Sequence, residues 1–142
     1  DLLTDATLIT CLIGLRLTPL LCKHCRRPYE EHKDEVDDYL RELIDKYTES
    51  QNAFLINESG CEYCENTGIK GRTGVFEVIE TDYKFMSLYE REGKFAAWNY
   101  WRSKGGETLC ENITALINQG KVDPVIAHKK ICNLDRDDKF NE

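Results

Sequence analysis

The sequence of 142 residues has no apolar run close to the roughly 18 residues that a membrane-spanning helix needs, so we expect no direct insertion into a membrane. Its apolar start, DLLTDATLITCLIGLRLTPLL, is interrupted by Asp5 and Arg16. This segment also lacks the basic opening and the cleavage site of a signal peptide. Because there is no initiator methionine either, we expect the chain to be a piece of a longer protein.

Basic residues are fewer than acidic residues in this sequence. The chain carries 19 Lys and Arg against 26 Asp and Glu, and its formal net charge is −7. A surface that binds phosphate backbones needs the opposite balance, so we expect no nucleic-acid partner. The hydrophobic content of 41% and the aromatic content of 10% are enough for a folded core. The length fits one compact domain, or one domain and a fragment.

The motifs of phosphate-binding and metallohydrolase sites are missing from the sequence. A P-loop needs G-x-x-x-x-G-K followed by Ser or Thr, and both Gly-Lys pairs lack the upstream glycine and the hydroxyl residue. The three histidines show no HExxH spacing. The acidic runs at 34–38 and 135–138 are typical of solvated surfaces rather than of paired catalytic carboxylates. We therefore expect the chain as given not to be an enzyme.

Cysteine is the abundant exception, with an odd count of seven. An odd count without a signal peptide does not suit a secreted disulfide scaffold, and it favours a reducing cytoplasm. Cys11 and Cys110 lie on predicted apolar helical faces, and Cys132 lies near the end of the last predicted helix. We interpret these three as small hydrophobic side chains.

The other four cysteines form two Cys-x-x-Cys brackets, the first from Cys22 to Cys25 and the second from Cys61 to Cys64. Two thiolates three residues apart can bind one metal from a tight turn, and a second pair completes a tetrahedron. Four sulfur ligands close the coordination shell of Zn²⁺, which makes such a site structural. Zinc binding of this kind contributes about 10–16 kcal/mol. The intervening residues 26–60 exceed the usual gap of a zinc ribbon and leave room for a helix and a strand.

Other chemistries remain open for the brackets: two disulfides, a redox-active dithiol, or an iron–sulfur cluster. The redox site needs a single bracket at the start of a helix in a βαβ unit, and no further bracketing cysteine supports a cluster. His24, inside the first bracket, is interpreted as a solvated side chain and not as a ligand. Nearby cations could hold the thiolates deprotonated and offset the negative charge of a zinc–tetrathiolate site: Lys23, Arg26, Arg27, Lys70 and Arg72.

Residues 1–21 predict a helix followed by a strand. The helix is indicated by apolar residues at helical spacing: Leu8, Cys11, Leu12 and Leu15. The segment LRLTPLL then looks extended, because Pro19 disfavours a helix at and before its own position.

The clearest helix spans residues 34–48. One apolar stripe follows the 3.6-residue period there: Val36, Leu40, Leu43, Ile44 and Tyr47. Short strands are predicted at 52–56 and 75–80. The sequence therefore predicts an α+β fold, in which a small zinc-stapled β/α module over 22–80 contains an inserted helix.

From residue 81 onward, the pattern predicts a C-terminal cluster of four short helices. Thr81 is a candidate cap for the first of them, and Gly105 stops the second. Asp123 and the proline after it are typical of the start of the last helix. The polar tail LDRDDKFNE, which begins at Leu134, is expected to be frayed.

The pattern LCKHCRRPY, a helical insert and GCEYCENTGIKGRTGVFEVIE resembles the C-terminal tetracysteine region of the type II secretion and type IV pilus assembly ATPases. In that family, the second bracket precedes a Thr-Gly-x-x-Gly-Arg-Thr-Gly run and a strand that ends in Glu. The residues that match are Thr67, Gly68, Gly71, Arg72, Thr73, Gly74, Phe76 and Glu77. The family's strand before the first bracket often has Gln-Arg-Leu-x-Arg, of which this chain keeps Arg16 and Leu17. The similarity covers most of residues 8–134.

The resemblance implies a zinc-binding appendage of a hexameric, RecA-like motor at the cytoplasmic face of the bacterial inner membrane. Such motors hydrolyse ATP with Mg²⁺ to drive protein export or pilus assembly, and their Walker motifs would lie upstream, in the presumed parent. Residues 1–21 would end the ATPase core, 22–80 would form the zinc module, and 81–142 would pack on the core or on a neighbouring subunit. Arg16 and Arg72 are candidate contacts to the motor core, and inner-membrane platform proteins are the expected partners.

A rival interpretation comes from another class of protein, a free-standing zinc-ribbon adaptor or nucleic-acid-binding module. The glycine-rich second bracket is similar to the cysteine-rich repeats of DnaJ-type cochaperones, although those repeat four times. The acidic net charge disfavours a nucleic-acid partner.

Overall fold

A long antiparallel ribbon dominates the computed structural model, which describes residues 2–140. Strand β1 (Cys11–Leu21) pairs with β4 (Ile69–Glu80) along its whole length, with Leu15 opposite Phe76. The register shifts between Pro19 and Leu21, because proline has no amide hydrogen to give to the ladder. A second, very short pair joins β2 (Arg27–Pro28) to β3 (Phe54–Leu55).

Six helices accompany the two strand pairs within residues 2–140. They are α1 (Asp38–Tyr47), α2 (Tyr83–Glu92), α3 (Lys94–Ser103), α4 (Leu109–Asn118), α5 (Pro124–Ile126), which runs on into a π-helical turn (Ala127–Ile131), and α6 (Arg136–Phe140). Short 3₁₀ turns lie between them at Leu2–Thr4, Tyr29–Glu31, Lys33–Glu35, Ser50–Asn52 and Glu62–Cys64. The mixture of helices and small sheets confirms the predicted α+β class.

Two hydrophobic clusters hold these elements together. The larger one joins α1, β4 and α4, and its fully buried side chains include Tyr29, Ile44, Ile113 and Ile117. The smaller one lies between α2 and α3 around Phe85, Met86, Ala97 and Trp101.

Trp101 joins the smaller cluster to the ribbon. Its Nε1 donates a hydrogen bond to the Val78 carbonyl of β4 at 3.0 Å, and the side chain is buried in the core. Gly106 lies directly against the indole ring, because a Cβ added there would come within 2.3 Å of it.

The N-terminal prediction was wrong in its first half. No α-helix forms between Leu8 and Leu15, because strand β1 begins at Cys11 and takes its partner from β4. Apolar residues in LITCLIGLRL satisfy both the helical and the strand spacing, and the β-branched Ile9, Thr10 and Ile13 favour the extended form once a partner strand is present.

The inserted helix begins four residues later than expected, at Asp38. Asp37 is its N-cap, and its carboxylate accepts a hydrogen bond from the Leu40 amide at 2.9 Å. Val36 is extended but still buried, so the predicted stripe packs into the core without belonging entirely to the helix. Asp82, and not Thr81, caps α2 in the same way, through the Phe85 amide.

The C-terminal tail, which was expected to fray, contains helix α6 (Arg136–Phe140) within the described residues. Arg136 of α6 binds Glu77 of β4, with its Nη2 2.6 Å from Oε1. The Phe140 ring lies 5.0 Å from that of Trp98. Residues 141 and 142, also part of the predicted tail, lie outside the described residues. None of the helices within 2–140 has the length and apolar character needed to cross a membrane.

Candidate metal centre

The two cysteine brackets come together at one end of the ribbon. The sulfur of Cys22 lies 3.8 Å from that of Cys61, and the sulfur of Cys25 lies 3.9 Å from that of Cys64. All four sulfurs lie within 4.8 Å of one another. A regular tetrahedron with a metal–sulfur distance of about 2.3 Å has edges of about 3.8 Å. A disulfide would need a sulfur separation of about 2.05 Å. The spacing therefore suits one tetrahedral ion.

The end of β1 positions the first bracket. The Leu21 amide donates to the Lys121 carbonyl at 2.8 Å, and the Cys22 amide donates to the Gly68 carbonyl at 2.9 Å. The chain then turns back, because the Arg26 amide donates to the Cys22 carbonyl at 3.0 Å. This turn aims both sulfurs of the first bracket at the second, and Cys22 is fully buried.

The second bracket sits in a turn that depends on left-handed backbone. Glu65 and Asn66 have φ values of 57° and 62°, and Gly68 has a φ of 74°. Gly68 also packs backbone to backbone, since a Cβ added there would lie 2.2 Å from the Asn57 carbonyl oxygen. Only glycine combines that conformation with that approach. The glycine-rich character of the sequence here is thus a requirement of the turn.

Backbone amides stabilise one of the sulfurs as an anion. The Cys61 and Gly68 amides each donate to the Cys64 sulfur at 3.2 Å. Burial acts to raise the pKa of Cys64, but these hydrogen bonds outweigh it and lower that pKa to about 6. The backbone is thus arranged for a thiolate at this position.

The neighbouring thiols have the opposite effect on Cys25. Burial, and then the hydrogen bonds of Cys22, Cys61 and Cys64, raise the pKa of Cys25 to about 12. Four thiolates at such short range repel one another unless a cation lies among them. A bound divalent metal removes this obstacle, because a coordinating thiol is deprotonated outright. The donor set therefore fits a thiophilic dication such as Zn²⁺.

His24 does not belong to the sulfur cluster. The imidazole is exposed and lies against the phenol ring of Tyr63, with a centroid distance of 4.0 Å. The ammonium group of Lys70 lies 5.1 Å from the centre of the same ring. This tilted ring pair thus connects the middle of one bracket to the middle of the other, a contact that the sequence alone did not indicate.

The two candidate arginines both lie on the ribbon and are exposed. Arg16 stands opposite Val75, and its Nη1 donates to the Leu15 carbonyl at 2.9 Å. Arg72 stands opposite Pro19, near the cysteine end. The ladder therefore places them on opposite faces of the ribbon, and only Arg72 shares its face with Leu15 and Phe76.

The remaining cysteines differ from their predicted roles. Cys11 is an exposed residue of β1 and not a member of an apolar helical face. Cys110 and Cys132 are buried, as a pair of small hydrophobic residues would be, but they are joined by a disulfide with a Cα–Cα distance of 6.0 Å. They lie 22 residues apart and do not form a Cys-x-x-Cys pair, so no local pattern in the sequence predicts the bond.

Comparison with known proteins decides the family. A family model described as "Type II/IV secretion system protein" matches residues 2–133. This chain belongs to that family. The match within the type II/IV secretion system family confirms the predicted resemblance and does not favour the zinc-ribbon adaptor or nucleic-acid-binding alternative.

Three curated relatives within the type II/IV secretion system family are similar to this chain. The type II secretion system ATPase E of Vibrio cholerae is 31% identical over 81 residues, which are 57% of this chain and 15% of that protein. The type IV pilus assembly ATPase PilB of Pseudomonas aeruginosa is 28% identical over 128 residues (82% and 21%). The type IV pilus assembly ATPase TfpB of Acinetobacter baylyi is 27% identical over 132 residues (87% and 22%). The chain spans about a fifth or less of the length of these relatives.

Proposed function

We propose that this chain is the structural zinc-binding module of a secretion or pilus-assembly ATPase, with Zn²⁺ held by Cys22, Cys25, Cys61 and Cys64. The sulfur tetrahedron carries the proposal, because its edges match those of a zinc–tetrathiolate site. Zinc with four protein ligands has no position left for water. The metal would therefore stabilise the fold and would take no part in a reaction.

The ion would tie the end of β1 to the start of β4 and close the chain segment that contains α1. Zinc binding of this kind is worth about 10–16 kcal/mol, which compares with the stability of an entire domain. We therefore expect the fold to depend on the metal.

The ribbon supplies a surface for packing on a motor core. One of its faces exposes five large apolar side chains, which lie on alternate positions of the two strands: Ile13, Leu15, Leu17, Phe76 and Val78. Their exposed fractions run from 49% to 65%, which is unusual for a contiguous patch on a free-standing protein. In the parent, this face would pack on the RecA-like core in cis or on a neighbouring subunit, with Arg72 as a polar contact at its cysteine end.

The parent would bind ATP and Mg²⁺ and would act at the cytoplasmic face of the inner membrane, next to the platform proteins of a secretion or pilus machine. We expect the present chain not to hydrolyse ATP by itself, since its sequence has no P-loop. Its contribution would be to shape and pack the hexameric motor.

Metal analysis combined with a matched pair of variants tests the zinc role. Protein purified under reductant should contain one zinc per chain by elemental analysis. Cys61→Ser should lose the metal and the native circular dichroism spectrum, whereas Cys11→Ser should keep both, because Cys11 is an exposed free thiol of the ribbon. A Cys61→Ser variant that keeps a native spectrum in the presence of a chelator would overturn the proposal.

A further inference from the structure

A disulfide and a short helix lie next to each other near the C-terminal end of the chain. Cys132 directly follows the π-helical turn, and residues 133–135 separate it from α6. Its partner Cys110 is the second residue of α4, and the two Cα atoms lie 6.0 Å apart. The bond therefore fixes the place from which α6 leaves the larger hydrophobic cluster.

Helix α6 depends on contacts with distant segments. It has five residues, whereas an isolated helix needs about 12–15 to be even marginally stable in water. Arg136 binds Glu77 of β4, and water weakens this ion pair because the arginine side chain is partly exposed. The Thr108 hydroxyl donates to the Asp137 carboxylate at 2.5 Å. Such docking is marginal, so a covalent bond just before α6 has a large effect on it.

The docked helix covers aromatic side chains of α3. The Phe140 ring lies 5.1 Å from the Phe95 ring and 5.0 Å from the Trp98 ring, centroid to centroid. The ammonium group of Lys94 lies 5.4 Å from the centre of the Phe140 ring. Release of α6 would therefore uncover this part of α3 and separate Arg136 from the ribbon.

A cavity of about 420 Å³ gives small molecules access to Cys110. Among the described residues, its wall includes Cys110 but not Cys132, so a reagent in the cavity meets the Cys110 sulfur first. The charged groups of the wall are those of Arg102, Glu111, Asp137 and Asp138. Their excess of negative charge disfavours anionic reagents and favours uncharged ones.

We propose that Cys110 and Cys132 form a reversible latch for α6 that responds to hydrogen peroxide. The disulfide fixes α6 on β4 and α3, and the reduced pair releases it. The proposal rests on the proposed function in one respect, since thiols at the cytoplasmic face of the inner membrane are kept reduced. Disulfides in that compartment are usually transient, and many of them sense oxidants.

The oxidation takes two steps. The Cys110 thiolate attacks one oxygen of the peroxide, the O–O bond breaks, and hydroxide takes up the thiol proton and leaves as water, so that Cys110 becomes a sulfenic acid. The Cys132 sulfur then attacks the Cys110 sulfur, the S–O bond breaks, and a second water leaves with the Cys132 proton. Two thiols thus lose two electrons and two protons, and the peroxide is reduced to two waters. A dithiol opens the bond again by exchange.

Hydrogen–deuterium exchange followed by mass spectrometry tests the latch on the unmodified chain. The chain is reduced with dithiothreitol, freed of it, and compared with the same sample after an equimolar amount of hydrogen peroxide. Amides of residues 133–140 should exchange at least about tenfold faster in the reduced form, because the chain is no longer fixed at Cys132. The ladder of β1 and β4 should stay protected on the same time scale in both forms. This difference separates release of α6 from a general loss of stability.

Two serine variants provide the matched comparison. Cys132→Ser cannot form the bond, so its residues 133–140 should exchange rapidly before and after peroxide. Cys11→Ser keeps the pair and removes an exposed thiol of β1, so it should behave as the unmodified chain does. Zinc content is measured in every sample. A chain that lacks zinc but keeps the redox difference at 133–140 would contradict the zinc role and support the latch.

Three results would overturn the proposal. Equal exchange of residues 133–140 in both forms would make the disulfide a static crosslink. Loss of zinc after equimolar peroxide, with Cys110 and Cys132 still reduced, would make the sulfur cluster the reactive site. Glutathione disulfide, an anionic oxidant, should close the bond more slowly than uncharged bis(2-hydroxyethyl) disulfide does, and equal rates would contradict the selection of uncharged reagents by the cavity.

Discussion

The imidazole of His24 and the phenol ring of Tyr63 lie 4.0 Å apart, centroid to centroid, and each is the third residue of its own cysteine bracket. The contact therefore connects the two brackets beside the sulfur cluster, at the surface. The two brackets therefore contact each other through these rings as well as through any bound metal.

Tyr63→Ala tests the value of this contact. Aromatic ring pairs contribute about 0.5–1.5 kcal/mol, so we expect the zinc-loaded variant to lose about 1 kcal/mol of unfolding free energy and to keep its metal. Urea unfolding followed by circular dichroism measures the loss. Tyr83→Ala removes a tyrosine that is 80% exposed and should change the stability little. Equal losses in both variants would assign no role to the contact between the two rings.

Gly68→Ala tests the backbone turn that carries the second bracket. A Cβ would meet the Asn57 carbonyl oxygen at 2.2 Å while φ stays at +74°, so the variant should fail to bind zinc or to fold. Gly105→Ala is the matched control, because Gly105 has a φ of +92° with no atom within 4 Å of the added Cβ. It should cost only the conformational strain, about 1–2 kcal/mol. Metal content and the melting temperature separate the two, and a Gly68→Ala variant with normal zinc would contradict this account.

The disulfide between Cys110 and Cys132 predicts a thiol count. Protein unfolded with a chelator but without reductant should show five reactive thiols, and reduction should raise the count to all seven. The bond spans 22 residues, so its reduction should lower the unfolding free energy by about 3 kcal/mol. Cys11→Ser should lower both counts by one and leave the stability effect unchanged. Seven thiols before reduction would show that the bond is not formed.

The pair of Arg136 and Glu77 anchors helix α6 to the ribbon, and a double-mutant cycle measures it. Glu77 is largely buried and also accepts a hydrogen bond from the Leu109 amide at 3.2 Å, so we expect a coupling energy of about 1 kcal/mol after allowance for the partly exposed arginine. The pair of Arg41 and Asp38 is a fair control, because the Asp38 side chain is 93% exposed and its coupling should be close to zero. Equal couplings would mean that α6 is not held through Glu77.

Local patterns predicted the parts of this structure that depend on neighbouring residues. The bracket spacing of Cys22 and Cys25 predicts a metal-binding turn without knowledge of the fold, and Asp123 caps α5 as its proline neighbour indicates. The strand at 75–80 and the inserted helix were also found, although α1 begins at Asp38 because Asp37 takes the cap position.

The wrong predictions concern segments whose structure depends on residues that are distant in the sequence. The segment from Leu8 to Leu15 is compatible with a helix, and only the pairing of β1 with β4 makes its part from Cys11 onward a strand. The tail is polar and was expected to fray, yet Glu77, far away in the sequence, holds Arg136. The disulfide between Cys110 and Cys132 could not be predicted either, since nothing near either cysteine in the sequence indicates that the two lie close together in the fold.

X-ray absorption at the zinc edge, on protein purified under reductant, measures the atoms that bind the metal. We expect a zinc signal with four sulfur neighbours at about 2.3 Å and no nitrogen or oxygen neighbour. A shell that contains nitrogen or oxygen, or a folded protein with no zinc edge at all, would contradict it.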